Sequence, residues 1–245
     1  MQREYITPAG EYPRLYHDML SQPHLLIAGA TGSGKSVVIN GMMYTALYDS
    51  PAAARFILLD VKRVELSEYR HLPHVIQYAD NVPRAIAALK TALSIVEARY
   101  IEMQRRRQRL YNGSNVYIMI DELADLMTTA KRDVMPLLQR LCQIGRAARV
   151  HVIAATQCPI SAVIPTPIKV NFDSRVALRT RSKQDSRNIL GLTGCETLPR
   201  YGYGYYMTPE NTTLYQIPMI SDGDRQRLIE YWTGRAGRGK LKLFG

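Results

Sequence analysis

Short apolar runs alternate along this chain with longer stretches in which apolar positions recur every three or four residues. The runs Leu25–Ala28, Phe56–Asp60, Val116–Ile120, Val150–Ala155 and Ser174–Leu178 have the length and hydrophobicity of buried strands. Between them the period is helical. Residues from Lys35 to about Tyr48 follow the first run. Asn81, with Pro83 in the first turn, is placed to cap a long helix. Ile86, Leu89, Leu93, Val96, Tyr100 and Met103 form its expected buried stripe. Helical sequence resumes after the third run and continues to about Ala147. Ser182 and Asp185 read as a capping box opening a short helix through Leu190. Tyr203–Met207 and Thr213–Ile217 are expected to pair as a hairpin, with a last helix over Asp222–Trp232. Strands alternating with helices predict an α/β fold: a mainly parallel sheet, helices on both faces, right-handed connections, and ligands at the carboxyl ends of the strands.

Composition narrows the class. The chain has 245 residues, 46% of them hydrophobic, which supports a real core and excludes a disordered chain. No apolar run approaches the ~18 residues of a membrane span. The opening Met1-Gln2-Arg3-Glu4-Tyr5 is polar and no signal peptide follows, so a cytoplasmic protein without an intrinsic membrane segment is expected. Residues 1–22, with Pro8 and Pro13, read as an N-terminal arm, 23–233 as one domain, and 234–245 as a basic, Gly-rich, disordered tail. Cys142, Cys158 and Cys195 are far apart, and His71 and His74 are the closest pair of histidines. Neither set suggests a disulfide framework or a metal site. The net charge of +11 favours a polyanionic partner. The run Arg105-Arg106-Arg107-Gln108-Arg109 has two readings, a solvated helix end and a DNA or subunit contact. The first is preferred, because cations suit a helix C-terminus.

Candidate chemistry is concentrated after the first strand. Gly29-Ala30-Thr31-Gly32-Ser33-Gly34-Lys35-Ser36 is G-x-x-x-x-G-K-[ST] between strand and helix, the context of a P-loop. Its glycines permit a tight turn whose N–H groups point at phosphate oxygens. Lys35 would reach the β- and γ-phosphates of ATP, and Ser36 would bind Mg²⁺. The third strand ends in Asp121-Glu122. Asp121 is placed as a second Mg²⁺ ligand, and Glu122 as the group that orients and polarises the attacking water. Gln157, at the tip of the fourth strand, could contact the γ-phosphate or that water. A cation for the transition state would come from an arginine, in cis or from a neighbour, and Gly145-Arg146-Ala147-Ala148-Arg149 offers candidates.

Taken in order, these blocks resemble the motor domain of FtsK/SpoIIIE-type DNA translocases. The resemblance rests on Pro23 through Ser36, Leu59-Asp60-Val61-Lys62-Arg63-Val64-Glu65-Leu66, Ile120 through Met127, Arg146-Ala147-Ala148, Ala155-Thr156-Gln157 and Asp185-Ser186-Arg187. It implies a RecA-like P-loop NTPase with strand order 5-1-4-3-2, and a homo-hexameric ring moving double-stranded DNA by ATP hydrolysis. It also implies Arg146 as a trans-acting finger and Lys183 and Arg187 as pore cations on the DNA backbone, in a basic stretch that begins at Arg175. Two residues depart from the family: Cys158 stands where Arg is usual, and Val61 where Pro is usual. The family's membrane segments, linker, most of the domain that normally precedes the P-loop and the winged helix are absent from this sequence. That leaves two readings, a motor core cut from a larger protein and a short relative from a plasmid, phage or conjugative element, the second preferred. Two other readings remain open: a coupling or secretion ATPase working with a relaxase or transfer pore, and a nucleotide-dependent assembly or adaptor protein without motor activity.

Overall fold

The computed structural model describes residues 4–6, 15–157, 159, 164–200, 202–217 and 219–234. Cys158 and the tail beyond Gly234 lie outside the described residues. The elements are β1 (Glu4–Ile6), β2 (Leu15–His17), β3 (Leu25–Ala28), α1 (Lys35–Asp49), β4 (Ala54–Leu59), β5 (Val75–Ala79), α2 (Val82–Arg106) and β6 (Asn115–Ile120). They continue with α3 (Leu123–Ile144), β7 (Val150–Thr156), α4 (Thr166–Lys169), β8 (Ser174–Leu178), α5 (Lys183–Leu190), β9 (Tyr203–Met207), β10 (Thr212–Gln216) and α6 (Asp222–Trp232).

One eight-stranded sheet runs β10-β9-β8-β3-β7-β6-β4-β5. From β8 to β5 every pairing is parallel, and β9 and β10 add an antiparallel hairpin at the other edge. The five strands expected from sequence stand side by side as β8-β3-β7-β6-β4, the order 5-1-4-3-2. β5 was not anticipated. It is an edge strand with Ile76 exposed, so its five residues carry no buried alternation to read. Within the expected arm, β1 pairs antiparallel with β2 and its backbone lies against α1.

The strands look uniformly apolar, but their period of two divides them between two cores. Leu25, Ile27, Phe56, Leu58, Tyr117 and Met119 face the layer containing α1 and α6. Leu26, Ile57, Leu59, Val116, Ile118 and Ile120 face α2 and α3. α2 starts at Asn81 as expected, whose side chain accepts from Arg84 N–H at 3.0 Å. Its buried stripe is rotated from the expected one. Leu89, Val96 and Met103 are buried, but Ile86, Leu93 and Tyr100 lie at the margin, and the centre is made by Ala85, Ala88 and Ala92. Small residues let the helix approach the sheet closely, and the larger ones flank the contact. Arg99 is also buried in this stripe. Its Nη1 donates to the carbonyls of Ala148 (2.7 Å) and Arg149 (3.2 Å), and its guanidinium lies 4.3 Å from the Tyr111 ring centroid. The side chain thereby ties α2 to the turn before β7.

The arginine run at the end of α2 is exposed, with Arg106 paired to Glu102 at 3.0 Å and Arg107 in the left-handed cap position. α3 ends at Ile144, short of Ala147, and leaves helical geometry at Ala130. Among the described residues no helix is long and apolar enough to cross a membrane, no cluster of His, Cys, Asp or Glu suits a metal ion, and Cys142 and Cys195 are free and buried.

Candidate nucleotide site

All the parallel strands end on the same side of the sheet, and the loops that follow β3, β4, β6 and β7 converge there. The loop after β3 turns with Gly32 at φ 72° and Gly34 at φ 109°, both in the left-handed region. Three of its residues build the turn. Gly29 N–H donates to Thr156 O, Ala30 N–H to Arg179 O and Ser33 N–H to Ala30 O. A Cβ on Gly29 would stand 2.6 Å from Ser33 Oγ and 2.8 Å from Leu178 Cβ, so no side chain fits there. Thr31, Gly32, Gly34, Lys35 and Ser36 instead face a cavity of about 490 Å³. The first N–H groups of α1 have no acceptor within the helix, and Lys35, Ser36 and Val37, which carry them, line the same cavity. Lys35 Nζ donates to the carbonyls of Gly29 and Ala30, each at 3.0 Å. Burial lowers its pKa, opposed by the carboxylates of Glu122, Asp121 and Glu65.

β6 delivers the acids. Asp121 N–H donates to Leu59 O at 3.1 Å, which fixes the tip of β6 against β4. The Asp121 carboxyl is pushed up to about 7, first by burial and then by Asp60, Glu65 and Glu122, with Lys62 opposing. Negative charge gathered at this spot suits a cation. With Ser36 it supplies a carboxylate and a hydroxyl, the sparse oxygen set that Mg²⁺ takes when phosphates complete its shell. Glu122 caps α3, accepting from Ala124 N–H at 3.2 Å, and both its oxygens accept from Gln157 N–H at 3.2 and 3.1 Å. The Gln157 side chain is tied in turn to the P-loop, with Thr31 Oγ1 donating to its Oε1 at 2.6 Å. Lys35, Ser36, Asp121, Glu122 and Gln157, drawn from three places in the chain, therefore meet around one cavity.

Lys62, Val64 and Glu65 from the loop after β4, and Gly202, Ile217 and Met219 from the ends of the β9–β10 hairpin, complete the wall. None was singled out as a site residue from sequence. Gly202 N–H donates to Ser33 O at 3.2 Å, and the Gly202 backbone lies 3.1 Å from where a Gly34 side chain would be. That close approach is what the two glycines have in common.

Arg146, Lys183 and Arg187 stand apart from the cavity. Arg146 is exposed at the opposite, amino edge of the sheet, with Nε donating to Leu20 O at 2.9 Å. Lys183 and Arg187 lie one turn apart on the exposed face of α5. Ser182 caps that helix as expected, accepting from Asp185 N–H at 3.1 Å. Arg181 and Asp185 line a crevice with Ala30 and Gln157, which puts the start of α5 beside the P-loop. Arg175 does not belong with these surface cations. Its guanidinium donates to the carbonyls of Phe172, Ile189 and Lys169, so it is structural.

A glycine turn, a lysine at a helix start and paired acids across a parallel sheet define a P-loop ATPase. A sequence profile of the FtsK/SpoIIIE family matches residues 10–118 and 106–161, more than half the chain. The chain belongs to that family. It is 35% identical over 262 residues to the DNA translocase FtsK of Rickettsia bellii, a match covering 89% of this chain and 35% of the relative. The chain thus spans about a third of the length of the curated relatives it matches. The fold is shared with the pCW3 conjugation coupling protein TcpA, solved as a monomer form with ATPγS. The TM-score is 0.82 at 22% identity, covering 94% of this chain and 71% of that one. It is shared too with the cytoplasmic domain of the type VII secretion ATPase EccC of Thermomonospora curvata, with TM-score 0.77, 23% identity and coverage of 97% and 32%.

Proposed function

We propose that this chain is a double-stranded DNA motor, coupling ATP hydrolysis in the cavity to movement of the duplex through a ring of identical subunits. The observation that carries the reading is the convergence of Lys35, Ser36, Asp121, Glu122 and Gln157 on one cavity in a chain of the FtsK/SpoIIIE family. Thr31 through Ser36 hold the triphosphate. Ser36 and Asp121 would hold Mg²⁺, which neutralises phosphate charge when bound. Glu122 orients the attacking water and takes up its proton, and Gln157, on the same carboxylate and on Thr31, registers which nucleotide is present.

Lys183 and Arg187 extend from the rim beside the P-loop and meet the DNA backbone without reading its sequence. The excess of positive charge and the name of the relatives support this assignment. Arg146 acts on a neighbour's nucleotide, because β7 alone puts roughly 20 Å between it and its own site.

The test is ATP hydrolysis with and without linear duplex DNA. At low salt, DNA raises the rate several-fold. In the Lys183→Ala/Arg187→Ala protein the stimulation disappears while basal hydrolysis persists. At 0.5 M salt, where screening acts over roughly 4 Å, the wild type loses it too. Hydrolysis indifferent to DNA at low salt would overturn the DNA-motor reading in favour of a secretion ATPase or an adaptor.

A further inference from the structure

The loop between β4 and β5 is too firmly built to be a mere connection. Asp60 is fully buried at its start, and its two oxygens accept from Val64 N–H (3.1 Å), Leu66 N–H (3.0 Å) and Tyr78 OH (3.3 Å). Arg63 takes a left-handed conformation, φ 61°, with its N–H on Asp60 O and its Nε on Asp80 O. These bonds hold residues 61–65 as a fixed turn. The turn starts beside Asp121, whose N–H is bonded to Leu59 O, and it presents Lys62 to the cavity.

Among the described residues lining that cavity, the cations are Lys35 and Lys62. Lys35 belongs to the P-loop. The Lys62 ammonium rests on Asp125, in the first turn of α3, at 3.0 Å, with the two side chains 44% and 37% exposed. An ion pair this open contributes at most about 1 kcal/mol, so its cation can be drawn away at little cost. A terminal phosphate beside Asp121 and Glu122 offers several negative oxygens in a less hydrated setting, the stronger partner.

We propose that Lys62 is a further catalytic residue of this site, a cation supplied in cis that leaves Asp125 for the γ-phosphoryl oxygens as hydrolysis proceeds. The proposal rests on the reading of the cavity as a triphosphate site. In the step, the water oxygen bonds to the γ-phosphorus while the bond from phosphorus to the bridging oxygen breaks. ADP leaves with that electron pair, and the proton of the water goes to Glu122. Lys62 neither gives nor takes a proton. It offsets charge on the transferring group, and Asp125 is its positioning residue, keeping the ammonium off Asp121 and Glu122 between turnovers. Arg146 cannot serve in cis from the far edge of the sheet, so Lys62 gives each subunit a cation of its own.

The experiment compares wild type, Lys62→Gln, Lys62→Arg and, as a charge control on the exposed start of α2, Arg84→Gln. It measures ATP affinity by calorimetry and single-turnover hydrolysis with saturating Mg²⁺. Loss of one group that meets developing transition-state charge lowers the chemical rate by roughly 10²-fold. Lys62→Gln is therefore expected to bind ATP within about threefold of wild type while hydrolysing roughly 10²-fold slower. Lys62→Arg recovers part of that rate, and Arg84→Gln behaves as wild type. Thermal melting reports folding separately. Wild-type hydrolysis by Lys62→Gln overturns the proposal, as does weakened ATP binding with an unchanged chemical rate. Glu122→Gln distinguishes the two levels: if it is inactive while Lys62→Gln is active, only the role of Lys62 fails. If both are active, the reading of the cavity fails with it.

Discussion

Glu122 serves two elements with one carboxylate. It caps α3 and holds the Gln157 N–H at the tip of β7, while Thr31 holds the Gln157 side chain. A change in the P-loop therefore reaches the Glu122 carboxylate in two hydrogen-bonded steps. Gly29 is the most constrained residue beneath this chain of contacts. Gly29→Ala must displace Ser33 or Leu178, and overpacking of this kind costs about 1–3 kcal/mol. The variant is expected to melt several degrees lower and to bind ATP at least tenfold more weakly, read by calorimetry and thermal denaturation. Unchanged affinity and melting would show that the loop accommodates a methyl group. The P-loop and the acid pair were legible in the sequence because their chemistry is local: glycines and a lysine at fixed spacing, and carboxylates ending an apolar run. Lys62 and Asp60 were in plain view within Leu59 to Leu66, but their roles depend on which strand β4 pairs with. Gly202, Ile217 and Met219 reach the site from the far end of the chain, and nothing in their local sequence points to it.

At the scale of elements, the amino ends of the strands hold a histidine group that no spacing rule revealed. His24 precedes β3, His151 lies in β7 and His17 ends β2. All are buried and hydrogen-bonded: His24 to Cys142 O and Val152 N–H, His151 to Pro23 O and Asn115, His17 to Tyr206 OH. Burial drives their pKa values down to about 4, 4 and 3 for His17, His24 and His151, with Asp18 opposing at His17. Folded histidines that resist protonation face an unfolded chain that protonates near 6.5. Stability is therefore full above pH 6.5 and declines as pH falls toward the folded values. A lowering of this size corresponds to about 3 kcal/mol for one isolated group. The melting temperature should be lower by about 5–10 °C at pH 5 than at pH 7.5, with no histidine of this group titrating above pH 5 by NMR. A flat profile, or ring signals titrating near 6.5, would contradict the buried neutral group. The strands and their order were readable from alternating runs and an implied topology. The phase of α2 was not, because its contact is made by alanines and one arginine.

For the whole molecule, the acids of the nucleotide site and Arg146 lie at opposite ends of the strands. The carboxyl edge gathers Asp60, Glu65, Asp121 and Glu122 around Lys35 and Lys62, with the exposed cations of α5 beside them, and the amino edge exposes Arg146 and the arginines at the end of α2. Copies arranged head to tail would bring one edge to the other, and Arg146 could then complete a neighbour's site. Such an arrangement would give the exposed Arg146, remote from its own cavity, a place beside a neighbour's. The central claim is narrower than the ring: magnesium triphosphate held at the P-loop is cleaved with the help of the Glu122 carboxylate. Its most direct test pairs calorimetric ATP binding with single-turnover phosphate release for Glu122→Gln and wild type. The account predicts that the variant binds ATP within a few-fold of wild type and releases phosphate at least 10²-fold more slowly. Phosphate release at the wild-type rate, or wild-type protein with no affinity for ATP, would contradict it.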